Sequence, residues 1–248
     1  IPDLQRQFAG RAFGAKGRLS AAHHGRSRKP ACDAAAAEAA ASSFQPDILF
    51  HSLRHGASQI YLANSISGEM KRLRESANED IGAMWSPDGK KIAFVSRANG
   101  NSDIYVVDAD GSNLQRLTDH PAYDGGALWS PDGSKLAFTS GRSGSSKIYI
   151  INADGSGLKR LTSSEAQEDE ANHAWSPDGK KLAFVTITTN RQLSVWVTNS
   201  NGTALEQLTQ PATANATQPA WSPDGRYVYF VHVNYDPCQQ GCTQPDGR

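Results

Sequence analysis

Short apolar runs follow one another along most of the chain, separated by polar and turn-forming residues. One kind of run is apolar at nearly every position rather than at alternate positions, which is typical of a strand covered on both faces. Its copies are Ile48–Phe50, Ile92–Val95, Leu136–Thr139, Leu182–Val185 and Val228–Val231. A second kind of run follows after a loop, as Ile60–Leu62, Ile104–Val107, Ile148–Ile151 and Val195–Val197.

The second run leads into a further hairpin signal. Asp-Gly or Asn-Gly follows it in three copies and Ser-Gly in the first, and such pairs between apolar runs favour a β-hairpin. A Leu-x-x-Leu-Thr segment then precedes a polar loop in those three copies, and the first copy has Met70–Leu73 in its place. The unit therefore comprises four short antiparallel strands, labelled a to d, in about 45 residues with no helical periodicity.

A five-residue segment, Trp-Ser-Pro-Asp-Gly, occurs four times between strands a and b, with its tryptophans 44, 46 and 46 residues apart. Ser-Pro-Asp-Gly fits a type I turn, since Pro sets φ at the second position and Gly suits the fourth. The tryptophan is a large apolar group suited to filling space between packed sheets, so we expect equivalent buried positions. The residues concerned are Trp85, Pro87, Asp88, Gly89, Trp129, Pro131, Asp132, Gly133, Trp175, Pro177, Asp178, Gly179, Trp221, Pro223, Asp224 and Gly225.

Repeated four-stranded units of this length predict an all-β fold, a β-propeller of four-stranded antiparallel blades. The repeats occupy residues 47–233 and amount to about 4.5 units, in the order b-c-d, three complete sets, then a-b. We therefore expect a fragment of a six-bladed propeller. Residues 1–46 form a basic and alanine-rich segment without strand pattern, predicted to be disordered or of low complexity, and residues 234–248 an irregular tail.

Charge and cysteine content narrow the function classes. The 25 basic and 25 acidic residues balance, so nothing favours nucleic acid as a partner, and no apolar run suits membrane insertion. Cys238 and Cys242 could form a small disulfide loop or stay unpaired, and Cys32 has no evident partner. Neither the cysteines nor the seven histidines have metal-ligand spacing, so we expect no metal or other cofactor and most histidines in loops or at the surface.

The sequence favours a protein that is not an enzyme. A Gly-x-Ser-x-Gly nucleophile motif is absent from it. The aspartate of the repeated segment recurs in every unit, whereas a catalytic residue is normally unique, so turn geometry explains it better. We expect no catalytic residue.

Because neighbouring strands run in opposite directions, the connections between them lie alternately at the two ends of each blade. The a–b and c–d turns share one end and are nearly identical, whereas the b–c and d–a loops share the other end and vary, which is where binding usually lies. An arginine occurs in each b–c loop, at Arg54, Arg97, Arg142 and Arg191, and it could either pair with a neighbouring d–a carboxylate or contact a partner. The candidate partner-binding residues are Arg97, Arg142, Glu165, Glu168, Asp169 and Glu170.

The repeat resembles the WD-repeat-like propeller repeats of the TolB family. The residues that carry the resemblance are Trp-Ser-Pro-Asp-Gly-Lys-Lys-Ile-Ala-Phe-Val-Ser, Asp-Ile-Tyr-Val-Val-Asp-Ala-Asp-Gly and Leu-Gln-Arg-Leu-Thr. The resemblance implies a six-bladed propeller outside the bacterial cytoplasm, in the periplasm for TolB, that binds other proteins, as TolB binds components of the Tol–Pal envelope system. Similar repeats form propellers attached to prolyl-oligopeptidase-type serine hydrolases, so a lid domain of such a hydrolase is the alternative. A propeller with a small ligand or metal in its channel is a third hypothesis.

Overall fold

A computed structural model describes residues 46–162, 168–210 and 215–233, and all regular secondary structure within these ranges is β-strand. Apart from Pro46, the predicted N-terminal segment lies outside the described residues, as do the tail and the three cysteines. No helix in the described ranges has the length and apolar character needed to cross a membrane.

The described chain forms five antiparallel sheets, each built from strands consecutive in sequence. The three central sheets have four strands in the order a-b-c-d, while the first has b-c-d and the last a-b, which confirms the predicted repeat. The strands are β1 (Ile48–His55), β2 (Ala57–Ala63) and β3 (Met70–Arg72); β4 (Asp80–Trp85), β5 (Lys91–Ser96), β6 (Asp103–Asp108) and β7 (Gln115–Arg116); β8 (Asp124–Trp129), β9 (Lys135–Ser140), β10 (Lys147–Asn152) and β11 (Lys159–Arg160); β12 (Asp169–Trp175), β13 (Lys181–Ile187), β14 (Leu193–Asn199) and β15 (Glu206–Gln207); β16 (Asn215–Trp221) and β17 (Val228–Val233).

The core lies between successive sheets, because strands b and c are apolar on both faces. In the second sheet Phe94 is fully buried and stacks on Tyr105 of the next strand, with ring centroids 5.7 Å apart. Val95 of that sheet belongs to the same apolar cluster as Trp129 and Phe138 of the third sheet. Each interior layer is therefore shared by two neighbouring sheets.

The last b strand departs from the prediction that its run is covered on both faces. Tyr229, Phe230 and Val231 of β17 are 62%, 40% and 47% exposed. Among the described strands β17 has only β16 as a neighbour, so the layers that bury the equivalent residues of β5, β9 and β13 are not provided here.

The repeated Ser-Pro-Asp-Gly segments form the predicted turns. In the second sheet the Gly89 N–H donates to the Ser86 carbonyl oxygen at 2.9 Å, and Gly89 adopts a φ of 70° that favours glycine. The Ser86 hydroxyl donates to the Asp88 carboxylate at 2.7 Å and accepts the Lys91 N–H at 2.9 Å. These bonds give the serine and the aspartate a structural role within the turn.

The tryptophans occupy equivalent places and connect one sheet to the next. The Nε1–H groups of Trp129, Trp175 and Trp221 donate to the carbonyl oxygens of Met84, Leu128 and Ala174, at 3.3, 3.2 and 3.1 Å. Equivalent positions are therefore present, but the expectation of full burial is met only by Trp129, which is 6% exposed. The side chains of Trp85, Trp175 and Trp221 are half-buried.

Candidate functional site

The b–c and d–a loops lie together at one end of the sheets, because every neighbouring pair of strands is antiparallel. We call this end the loop surface and the opposite end the turn surface. The described parts of the loop surface are residues 53–56, 73–79, 97–102, 117–123, 141–146, 161–162, 168, 188–192 and 208–210, together with the adjoining strand ends.

Buried acidic residues underlie the loop surface at the start of three a strands. Asp80, Asp124 and Glu170 each precede the repeated tryptophan by five residues and are at most 1% exposed. The last a strand has Ala216 at this position. Each acid is met by a cation, as expected for buried charge. The ion pairs are Arg74–Asp80 and Arg142–Asp124, each with a nitrogen–oxygen distance of 2.8 Å, and Lys147–Glu170 at 3.3 Å.

In the second sheet the cation comes from the preceding d–a loop. The Arg74 guanidinium donates to Asp80 at 2.8 Å and to the Ser96 hydroxyl at 3.2 Å, and it lies 5.4 Å from the Phe94 ring centroid. Ser96 is the register partner of Asp80 in the neighbouring strand. The arginine thereby links the d–a loop to strands a and b.

In the third sheet an arginine from a different loop reaches the same place. Arg142, in the b–c loop, donates to Asp124 at 2.8 Å and to the Ser140 hydroxyl at 2.8 Å. Its guanidinium carbon lies 5.7 Å from the Phe138 ring and 5.0 Å from the Tyr149 ring. Only 13% of the Arg142 side chain is exposed, so most of it serves the fold rather than the surface.

In the fourth sheet the cation that pairs with the buried acid, Glu170, comes from the preceding sheet. The Glu170 carboxylate accepts from the Lys147 ammonium at 3.3 Å and from the Ile148 N–H at 3.1 Å, and it also accepts from the Thr162 hydroxyl. We predicted Glu170 as a partner-binding residue. This is wrong because only 1% of the residue is exposed, so its side chain is not accessible to a partner. It holds β12 against β10.

The other residues of the predicted acidic loop have different environments. Asp169 is exposed and its carboxylate accepts the Ser146 N–H at 2.8 Å. Glu168 is half-buried, and its carbonyl oxygen accepts from Lys147 at 2.7 Å. Glu165 lies outside the described residues. Asp169 is therefore the described member of this loop with an exposed side chain, and its carboxylate is hydrogen-bonded to the neighbouring sheet.

Arg97 forms an exposed ion pair. Its guanidinium donates to Glu79 at 2.7 Å, and the two side chains are 56% and 45% exposed. The predicted pairing of b–c arginines with d–a carboxylates is thus observed for Arg97, and Arg142 pairs with the first residue of strand a. Arg54 and Arg191 form no ion pair within the described ranges.

A further acid–arginine pair escaped the sequence-based analysis. Asp103, fully buried at the start of β6, accepts two hydrogen bonds from Arg116 at 3.1 and 2.7 Å. Burial raises the pKa of the Asp103 carboxyl, and Arg116 opposes that rise. The acids at the tryptophan-minus-five position could have been found from the sequence, because their spacing recurs in three units.

His173 departs from the prediction that most histidines lie in loops or at the surface. It lies in β12 and is buried against the third sheet, with Nε2 3.1 Å from the Ala137 carbonyl oxygen. Burial lowers the pKa of the imidazole to about 4, so the ring is neutral at pH 7. No group of three or more potential metal-ligating side chains converges in the described part of the chain.

The family described as the TolB beta propeller domain matches residues 48–230, which covers most of the chain and all five sheets. The chain belongs to this family. The all-β propeller fold and the TolB-type repeat inferred from the sequence are therefore confirmed. No curated protein matches the chain.

Solved structures agree with membership of the TolB propeller family. A TolB candidate from Agrobacterium tumefaciens is 28% identical with a TM-score of 0.60, over 75% of this chain and 70% of that one. TolB from Acinetobacter baumannii is 29% identical with a TM-score of 0.57, over 73% of this chain but only 44% of that one. A puromycin hydrolase, with 16% identity and a TM-score of 0.50 over 66% of this chain and 27% of that one, shares the fold alone.

Proposed function

We propose that this TolB-type propeller chain is a non-enzymatic scaffold that binds another protein through its loop surface. The observation that carries the proposal is the contrast between the two ends. The turn surface repeats the same hydrogen-bonded turns from sheet to sheet, whereas the loop surface differs in length, charge and ion pairing in each sheet. A partner that distinguishes this chain from other propellers needs the surface that differs.

The loop surface combines rigid support with exposed charge of both signs. Buried pairs such as Arg142–Asp124 hold the loops in one arrangement, which lowers the ordering cost of binding. Above them Arg97, Asp119 and Asp169 are exposed. Such peripheral charges mainly set the association rate and its salt dependence. We infer that the loop surface recognises a partner with a complementary mixed-charge surface.

The cellular location and partner class are proposed from family membership. A TolB-type propeller implies a place outside the bacterial cytoplasm, in the periplasm for TolB itself, and a protein partner in the cell envelope of the Tol–Pal kind. The balanced charge of the chain gives no support to nucleic acid as the partner. The alternative, a lid domain of a prolyl-oligopeptidase-type hydrolase, stays a prediction. The likeness to puromycin hydrolase concerns the fold alone and does not favour it.

Site-directed photo-crosslinking in the cells that produce the chain tests the loop surface. A photo-reactive phenylalanine analogue is placed, one position at a time, at Arg97, Asp119 and Asp169. The matched controls are the exposed turn-surface positions of Lys90, Asp110 and Asp154. We expect the loop positions to yield crosslinks to one common protein, while the turn positions yield none to that protein.

Kinetics with the crosslinked protein, once purified, test the electrostatic part. Asp119→Asn together with Asp169→Asn should change the association rate several-fold and reduce its dependence on salt, with little effect on dissociation. Crosslinks to the common protein from the turn positions rather than the loop positions would contradict the proposal. So would an equal kinetic effect of Asp110→Asn together with Asp154→Asn.

A further inference from the structure

A cleft lies on the turn surface between the fourth and the last sheet. It separates the turn that begins at Ser176 from the turn that begins at Ser222, and its volume is about 390 Å³. The half-buried indole of Trp221 and the rings of Pro177 and Pro223 line it. A cavity of this volume is at the lower end of the range for ligand pockets, so it suits a small molecule of one or two rings.

The walls of the cleft are fixed by contacts within the chain. The Trp221 Nε1–H donates to the Ala174 carbonyl oxygen at 3.1 Å, which holds the indole against the fourth sheet. Both turns are closed by a 2.9 Å bond from the glycine N–H to the serine carbonyl oxygen. The Pro177 Cδ lies 3.7 Å from the position that a Cβ on Gly225 would occupy, so the two turns also contact each other. Walls already fixed in this way lower the ordering cost of binding a ligand.

One cation of the cleft has no carboxylate partner. Lys181 lines the cleft, is exposed, and forms no ion pair within the described ranges. The two acids that line the cleft are met by other cations. The Asp178 carboxylate lies 3.9 Å from the Lys180 ammonium, and the Asp224 carboxylate accepts from Arg226 at 2.7 Å. Lys181 is therefore the charge of the cleft that a ligand can neutralise.

The neighbouring strand explains why Lys181 is unpaired. Lys181 and Asn199 are register partners across β13 and β14, as Lys91 and Asp108 are across β5 and β6. In the second sheet Lys91 binds the Asp108 carboxylate at 2.6 Å. Asn199 carries no charge, and its amide donates to the Thr203 hydroxyl at 2.9 Å. The replacement of an aspartate by an asparagine between these repeats leaves the lysine of the cleft without an acid.

The third sheet has the same two residue types in a different charge environment. Lys135 and Asn152 are register partners there. Hydrogen bonds from Ser130 and Ser134 lower the pKa of the Asp132 carboxyl to about 2, and the charge of Lys135 contributes to this shift. Lys135 therefore has a carboxylate within electrostatic reach, which distinguishes it from the lysine of the cleft.

We propose that the cleft binds a small aromatic monocarboxylate, whose ring packs against the Trp221 indole and the two prolines while its carboxylate pairs with Lys181. Aromatic and proline rings favour a flat apolar ligand. One unpaired ammonium favours a single negative charge, and the nearby Asp178 and Asp224 would repel a doubly charged group such as a phosphate. The cleft shares no residue with the loop surface, so this proposal and the proposed protein binding can fail independently.

Naphthoate is a probe of suitable size, and its neutral amide, naphthamide, is the matched control. Calorimetry measures the binding of each to the full chain, and heteronuclear NMR follows the indole N–H signals, with that of Trp221 assigned through Trp221→Phe. We expect naphthoate to bind about fivefold more tightly than naphthamide, the effect of one ion pair near the surface. The preference should weaken as salt rises, and the Trp221 signal should shift more than that of Trp129.

Variants of the full chain localise the charge. Lys181→Gln should bring naphthoate and naphthamide to similar affinity, whereas Lys135→Gln and Lys180→Gln should leave the preference intact. Asn199→Asp restores the acid of the second sheet, so Lys181 would pair within the chain, and naphthoate but not naphthamide should bind more weakly. Asp108 already occupies this place in the second sheet, so circular dichroism and unfolding midpoints should stay close to wild type.

The proposal is wrong if naphthoate does not bind, if naphthamide binds equally well, or if the preference persists in Lys181→Gln. Loss of the preference in Lys135→Gln instead would place the site in another sheet. Tighter binding of a naphthylmethyl ammonium ion would make the acids, rather than Lys181, the recognising groups. An acetylated dipeptide ending in phenylalanine that binds more tightly than naphthoate and shifts the Trp221 signal would make the C-terminus of a partner protein the ligand instead.

Discussion

Replacing Glu170 tests whether this acid belongs to the fold or to a recognition surface. Glu170→Ala removes the carboxylate that lies 3.3 Å from the Lys147 ammonium. Both side chains are buried, with 1% of Glu170 and 2% of Lys147 exposed. The Ile148 N–H loses its acceptor as well. Removing one partner of a buried ion pair costs about 3–5 kcal/mol, because the remaining charge stays desolvated. We therefore expect the free energy of unfolding to fall by about that amount.

The assay is urea unfolding followed by tryptophan fluorescence, with the change in midpoint converted through the denaturant slope. The matched control is Asp169→Ala, one residue away. Its exposed side chain accepts one backbone hydrogen bond, so we expect a loss of about 1 kcal/mol or less. The double variant Lys147→Met with Glu170→Leu should be more stable than Glu170→Ala, since it removes both buried charges together.

The result that would refute this reasoning is a loss of stability in Glu170→Ala no larger than in Asp169→Ala. In that case the carboxylate would be solvated and available to a partner, as the sequence-based prediction had it. A double variant as unstable as Glu170→Ala would also contradict the explanation, because it would assign the loss to packing rather than to the ammonium that remains.

Three further perturbations test other parts of the fold. Trp129→Ala should lower the free energy of unfolding by about 3–5 kcal/mol, measured by urea unfolding, because it opens a cavity between two sheets. Arg142→Ala leaves the buried Asp124 carboxylate without its cation and should cost about 3–5 kcal/mol, against about 0–1 for Arg97→Ala, whose ion pair is exposed. Because the His173 pKa falls from 6.5 to about 4 on folding, the unfolded chain binds more protons between these values, and stability should decrease as pH falls from 6.5 to 4. Thermal melts over this range should lose part of that slope in His173→Asn, and an unchanged slope would contradict the buried neutral ring.

The strand order and the turns could be predicted from the sequence because their causes are local. The turn that begins at Ser86 is closed by bonds among residues at most five apart, and its Ser-Pro-Asp-Gly residues recur in all four copies. The strands after these turns are apolar at consecutive positions, which indicates cover on both faces wherever two neighbouring sheets are present. β17 has the same pattern and is exposed, since cover depends on a neighbouring sheet rather than on the strand itself.

The partner of each buried acid was decided only by the tertiary structure. Asp80 is bound by an arginine six residues away, Asp124 by one 18 residues away, and Glu170 by a lysine 23 residues away in another sheet. The sequence placed acids and cations near the loop surface but did not distinguish the exposed Asp169 from the buried Glu170 beside it. Successive residues of a strand point to opposite faces, and the packing of the next sheet determines which face is closed to water.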